Sequence, residues 1–151
     1  MPDYKEYKTN VDLITLKKQK ADFKRAKIGS SKDAADFARN FYFEDLTIFE
    51  SFFVIVLNNS NNTIGYVKIS QGGVTGTLVD SKIIAKIALD SLATAIIMVH
   101  NHPSGTLRPS QEDENITQKI KNGLNFFDIK LLDHIILTET AYYSFADQSI
   151  L

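Results

Sequence analysis

The sequence predicts an α/β or α+β fold, a mixed β-sheet sandwiched by helices in a single domain. Three observations carry that expectation. The chain has 151 residues, within the roughly 100 to 200 of one compact domain. Short apolar runs of strand length recur along it, and between them lie segments whose apolar residues repeat at helical spacing. At 44% hydrophobic and 23% charged, the composition is that of a globular protein and excludes a disordered chain. A membrane span is excluded as well, because no stretch approaches the roughly 20 apolar residues it needs.

Taken in order, Val11-Asp12-Leu13-Ile14-Thr15-Leu16 reads as a short peripheral strand. Lys17, Lys18, Lys20, Lys24, Arg25 and Lys27 then stand against Asp22 alone, so residues 1–27 form a basic leader and residues 28–151 the domain proper. The leader reads better as a solvated segment than as a nucleic-acid contact. From Ser30 a helix start precedes Ala34, Phe37, Ala38 and Phe41 at i, i+3, i+4 and i+7, the stripe of a helix docked on a core.

Residues 51–57 are apolar almost throughout, as in a strand buried on both faces and central to a sheet. Asn58-Asn59-Ser60-Asn61-Asn62 is a turn by composition, and residues 63–70 return as the second strand of a hairpin. Gly72, Gly73 and Gly76 fit no phosphate-loop pattern and mark a bend or bulge. Asp80 caps a helix carrying Ile83, Ile84, Ile87 and Ala88, which breaks near Ser91. Residues 95–99 form another buried strand, ending at His100. Beyond a loop with Pro103, Gly105 and Pro109 comes a helix with Ile116, Ile120, Leu124 and Phe127 on one face. Residues 129–138 and 141–145 are the last two strands.

The chain has no cysteine, which excludes disulfide scaffolds, thiol nucleophiles and thiolate zinc sites. Any metal must be held by histidine and carboxylate. A formal net charge of −1 gives no global attraction to nucleic acid or acidic lipid. The N-terminus lacks the apolar core of a signal peptide, so the expected location is the cytoplasm.

Two of the three histidines are His100 and His102. Side chains alternate along an extended chain, so an H-x-H pair at a strand end points both imidazoles to one side, where one tetrahedral metal can accept both. After the loop, Pro109-Ser110-Gln111-Glu112-Asp113 opens a helix, and Ser110 and Asp113 project from its first turn. Ser110-x-x-Asp113 is explained as a capping box variant. It is equally able to bring Asp113 in as third ligand, leaving a fourth tetrahedral position for water, as in catalytic rather than structural zinc sites.

His100-Asn101-His102-Pro103, six residues, then Ser110-Gln111-Glu112-Asp113 resembles the H-x-H-P-x6-S-x2-D core of the JAMM (MPN-type) metallopeptidases. The wording around it, with Val74-Thr75-Gly76-Thr77-Leu78-Val79, Asp133-His134-Ile135-Ile136 and Ser144-Phe145, resembles the bacterial RadC branch from about residue 28 to the C-terminus. The resemblance implies a JAMM/MPN-type fold and one Zn2+ per chain on His100, His102 and Asp113. It also implies a glutamate upstream as general base. Of Glu6, Glu44 and Glu50, Glu50 fits best because it immediately precedes the buried strand, with Glu44 second. Ser110 would donate a hydrogen bond to the oxyanion. His134, in an apparently buried strand, reads either as a group supporting the ligands from behind or as a packing residue; packing is preferred, and His134 is left out of the ligand set.

The implied function is zinc-dependent hydrolysis of an amide or isopeptide bond in a peptide or protein substrate. Specificity is expected from the loop around Gly72 to Gly76 and from residues 104–108. Many RadC proteins carry a helix-hairpin-helix region ahead of this domain, for which 151 residues leave no room. That weakens a DNA-binding expectation through residues 17–27. Nucleobase deamination, another zinc chemistry, needs cysteines the chain lacks. Two alternatives remain: a non-catalytic factor in DNA repair or DNA metabolism, and a domain that keeps zinc for stability only.

Overall fold

The structure, a computed structural model, describes residue 21 and residues 24–42, 44–72 and 78–151. The expected strand over residues 11–16, most of the basic leader and the glycine-rich stretch from Gly73 to Thr77 lie outside the described residues. Among those described, helix α1 (Ser31–Ala38) leads through a 3-10 turn (Glu44–Thr47) to strands β1 (Ser51–Leu57) and β2 (Thr63–Gln71). Helix α2 (Ser81–Asp90), β3 (Ala95–Asn101), α3 (Gln111–Asn125), β4 (Lys130–Leu137) and β5 (Tyr142–Ser144) follow. The strands form one mixed sheet in the order β2-β1-β3-β4-β5, parallel only between β3 and β4. This is the expected single mixed-sheet α/β domain.

The sheet separates two cores, and strand alternation decides what each receives. Phe53, Ile55 and Leu57 of β1 with Ile97 and Val99 of β3 pack under α1. Phe52, Val54 and Val56 with Ile96 and Met98 pack under α2 and α3. Continuing that parity, His100 shares the α2/α3 face with Met98, and Asn101 shares the α1 face with Val99. Since α3 connects parallel strands β3 and β4, its first turn is brought to the end of β3 that carries the histidines.

Sequence-encoded caps set the helix starts. The hydroxyl of Ser30 accepts from Asp33 N–H before α1, and Asp80 accepts from Lys82 N–H before α2. Ser110 and Asp113 make the reciprocal capping box of α3. At the hairpin, the Asn58 side chain accepts from the N–H groups of Ser60 and Asn62. The last residues of the basic leader are pinned there, Lys27 bridging to Asn62 and Ala26 N–H donating to Thr63 Oγ1.

Three expectations need correction. Phe41 lies beyond α1, which ends at Ala38, yet is buried, stacked on Tyr66 at 4.3 Å. Its burial comes from aromatic packing rather than helical periodicity. Phe127, expected on the buried face of α3, is 57% exposed, because α3 ends at Asn125 and the chain turns away. Glu44, which the sequence pattern puts near the end of the first core helix, instead begins a separate 3-10 turn. No helix among the described residues is long and apolar enough to cross a membrane.

Candidate metal centre

β3 delivers His100 fully buried on the α3 side of the sheet. The ladder continues one residue beyond it, His102 N–H donating to Leu137 O at 2.9 Å, so His102 keeps the parity of His100. Pro103 then ends the extended run. Gly105, at φ +84°, supplies the left-handed turn that brings the chain back, and Thr106 O lies 2.7 Å from His102 Nδ1.

The ligand atoms of His100, His102 and Asp113 all lie within 4.8 Å of one another. The two Nε2 atoms are 3.0 Å apart, and Asp113 places Oδ1 3.2 Å from His100 Nε2 and Oδ2 3.6 Å from His102 Nε2. Asp113 is oriented by the capping box, Ser110 N–H donating to its Oδ2 at 2.8 Å. One short motif therefore starts the helix and aims the carboxylate, so the capping and ligand readings of Ser110-x-x-Asp113 hold together.

The chemistry of these donors fits a metal cation. A carbonyl only accepts, so His102 Nδ1 carries the hydrogen it donates to Thr106 O, and in the neutral ring Nε2 carries a lone pair. That lone pair faces an imidazole nitrogen and a carboxylate, an arrangement satisfied by positive charge between them. Ionisation follows suit. Burial alone would raise Asp113, but His100, His102 and the Ser110 N–H outweigh it and hold its carboxyl far below the usual carboxylate range. Burial opposes a proton on His102, but Asp113 and the Thr106 carbonyl outweigh it and raise its pKa.

Glu50 is half-buried at the mouth of β1. Burial pushes its pKa up and Asp113 adds to the rise, while His100 and His102 partly offset both. With Asp113 it lines a cleft of about 340 Å³ whose apolar wall includes Phe52, Val79 and Ile116. Ser110 Oγ accepts from Asp113 N–H at 3.1 Å, and among the described residues its own hydrogen is given to none. The fold thus gathers His100, His102 and Asp113 into one cluster and sets Glu50 on the same cleft wall as Asp113. The side chain of Glu44 lies outside the described residues.

Residues 28–150 match the family model described as RadC-like JAB domain. The chain belongs to that family. Among its relatives, it is 46% identical over 136 residues to a UPF0758 protein of Flavobacterium johnsoniae, covering 89% of this chain and 58% of that one. It is 42% identical over 103 residues to a UPF0758 protein of Porphyromonas gingivalis, covering 68% and 45% respectively. The chain thus spans about half the length of these curated relatives.

In this RadC-like JAB domain one residue has a role that sequence reasoning missed, and a second has the role that it ranked lower. Asn101, between the two candidate ligand histidines, points to the other face, where its amide donates to Leu46 O and Phe49 O at 2.7 Å each and accepts from Ser51 N–H at 2.8 Å. It thereby clamps the backbone on both sides of Glu50, tying the carboxylate to the strand that carries His100. The second is His134, read from the sequence as packing. It is fully buried and stacked on Phe145, but its Nε2 lies 2.7 Å from His100 Nδ1 and its Nδ1 2.6 Å from Thr117 Oγ1. It is thus both packed and a hydrogen-bonding partner of His100, a candidate ligand, so the reading ranked second in the sequence applies beside the packing one. The signal was available, since a histidine in a buried strand must bond somewhere.

Proposed function

We propose that this RadC-like JAB domain is a zinc-dependent hydrolase that cleaves an amide or isopeptide bond in a peptide or protein substrate. The observation that carries the reading is the convergence of His100 Nε2, His102 Nε2 and an Asp113 oxygen in a domain where Glu50 and Asp113 share one cleft. Zinc suits two imidazoles and one carboxylate, and bound there it supplies Lewis acidity that brings the pKa of water towards about 7.

The protein's own groups do the rest. Glu50 accepts the proton of the attacking water and passes it to the leaving amine. Its raised pKa suits both steps, keeping the protonated form within reach for the second transfer. Ser110 donates its free hydroxyl hydrogen to the oxyanion of the tetrahedral intermediate. The apolar wall of Phe52, Val79 and Ile116 seats an apolar side chain of the substrate and limits water around Glu50.

The test is metal content and peptide-library hydrolysis, wild type beside His102→Ala, Glu50→Gln and Ser110→Ala. Expected is one zinc per chain in all but His102→Ala, with turnover lowered about 10²- to 10⁴-fold in Glu50→Gln and about 10²-fold in Ser110→Ala. No zinc in the wild type after supplementation at neutral pH overturns the reading. Zinc without hydrolysis on any substrate, together with a large stability loss on chelation, favours the structural alternative.

A further inference from the structure

We infer that Thr117 and His134 are positioning residues that set the tautomer of His100, holding its hydrogen on Nδ1 and its lone pair on the Nε2 that faces Asp113 and His102. The inference rests on the metal-centre reading for its purpose, but its geometry stands on four atoms in a row. Thr117 Oγ1 lies 2.5 Å from the backbone oxygen of Asp113 and 2.6 Å from His134 Nδ1. His134 Nε2 lies 2.7 Å from His100 Nδ1.

The direction of every hydrogen follows from the Asp113 carbonyl, which can only accept. Two oxygens 2.5 Å apart need a hydrogen between them, so the single hydroxyl hydrogen of Thr117 is committed to Asp113 O. Thr117 Oγ1 is then left as acceptor towards His134 Nδ1, which must carry the ring hydrogen. A neutral imidazole has one such hydrogen, so His134 Nε2 is an acceptor. His100 Nδ1 must therefore donate, and His100 Nε2 is left with a lone pair. His134 stays neutral because its ring is 0% exposed and its two hydrogen-bond partners, Thr117 Oγ1 and His100 Nδ1, carry no negative charge to hold a second proton.

No water competes for these bonds. His100, His134 and Thr117 are all 0% exposed, and Phe52 and Phe145 lie flat against His100 and His134 respectively. The relay begins at the backbone of one ligand residue, Asp113 on α3, crosses β4 at His134 and ends on another, His100 on β3. It thus couples the helix start to the strand end through their hydrogen pattern as well as their packing. Partners that orient a ligand imidazole commonly change metal affinity by 10- to 100-fold when removed.

Thr117→Val keeps the side-chain shape and removes the acceptor for His134 Nδ1–H, so the hydrogens shift one place along the row and His100 takes its own on Nε2. Thr117→Ser keeps the hydroxyl. The ring hydrogens are read from imidazole nitrogen chemical shifts of the metal-free protein in mild alkali, and zinc affinity by competition with a chelating dye. Expected are hydrogen on His100 Nδ1 in wild type and Thr117→Ser, a shift to Nε2 in Thr117→Val, and zinc affinity about 10- to 100-fold lower in Thr117→Val alone. Wild-type hydrogen on His100 Nε2 overturns the inference, and that measurement stands even if Thr117→Val does not fold. A valine variant that melts earlier but keeps the ring hydrogen and zinc affinity overturns it too, because a structural role would do that. If the wild type takes up no zinc, the proposed function fails while the ring hydrogen still judges the relay.

Discussion

His100 and His102 stand two residues apart with their Nε2 atoms 3.0 Å from each other, yet they are held in opposite ways. His102 is partly exposed, and its Nδ1 is tied four residues on to a loop carbonyl. His100 is fully buried, and its Nδ1 is tied 34 residues away to His134 on a neighbouring strand. A backbone carbonyl is fixed chemistry that no substitution of its own side chain removes. A side-chain relay can be broken at any member, and in a buried site the members left behind cannot turn to water instead. The deep half of the centre should therefore be sensitive to single substitutions that the partly exposed half tolerates.

The largest effect is expected at Asn101, which is buried on the opposite face of the sheet from His100 and holds the segment that carries Glu50. Asn101→Ala leaves Leu46 O, Phe49 O and Ser51 N–H without their side-chain partner, two acceptors and a donor on the segment around Glu50. Each such loss costs about 1 to 3 kcal/mol when fully buried, and because the bonds to Leu46 O and Phe49 O are only part-buried the low end, a total of about 3 kcal/mol, is expected. That is a drop in melting temperature on the order of 10 °C for a domain of this size, read by thermal melting of the metal-free protein. A change within about 1 °C would show that the clamp is dispensable and undercut the contrast between buried and exposed partners.

The pH dependence comes next in size, and it belongs to the cleft side. As the proposed general base Glu50 must be ionised to accept a proton, and burial, with Asp113, raises its pKa above the ordinary value. The sign is that turnover is flat above the raised pKa and falls as pH drops through it, about tenfold per pH unit for one proton. The acid limb of the rate profile should lie above the ordinary glutamate value of about 4.3 and be missing in Glu50→Gln. A limb that persists unchanged in that variant would move the titrating base to another residue.

How much was legible in advance follows the same division. The five strands from Ser51 onward, the caps at Ser30, Asp80 and Ser110, and the gathering of His100, His102 and Asp113 depend on local spacing, and local spacing is what a sequence displays. The roles of Asn101 and His134 depend on which segment lies across a sheet face from them. Asn101 bonds residues 50 and more positions away, and His134 meets His100 only because β4 pairs with β3 in one particular register. Phe41 and Phe127 failed for a related reason: periodicity marks a face but not where the helix stops, and both residues fall past an end.

The smallest expected effect sharpens the comparison most, because it uses the same substitution as the test of the relay. Thr106→Val alters the residue that holds His102, as Thr117→Val alters the one that holds His134. At Thr106 the bond to His102 Nδ1 comes from the main-chain oxygen, which valine retains. Its side chain is exposed and loses only a contact with Ser104 Oγ at 3.2 Å. Exposed changes of that kind stay within about 0.5 kcal/mol, so zinc affinity measured by the same competition should change by about twofold or less. Thr117→Val, also isosteric, removes a hydroxyl that a buried ring depends on. If the two variants lose zinc affinity equally, what they share is loss of loop or helix stability, and the distinction between a carbonyl-held and a relay-held histidine fails.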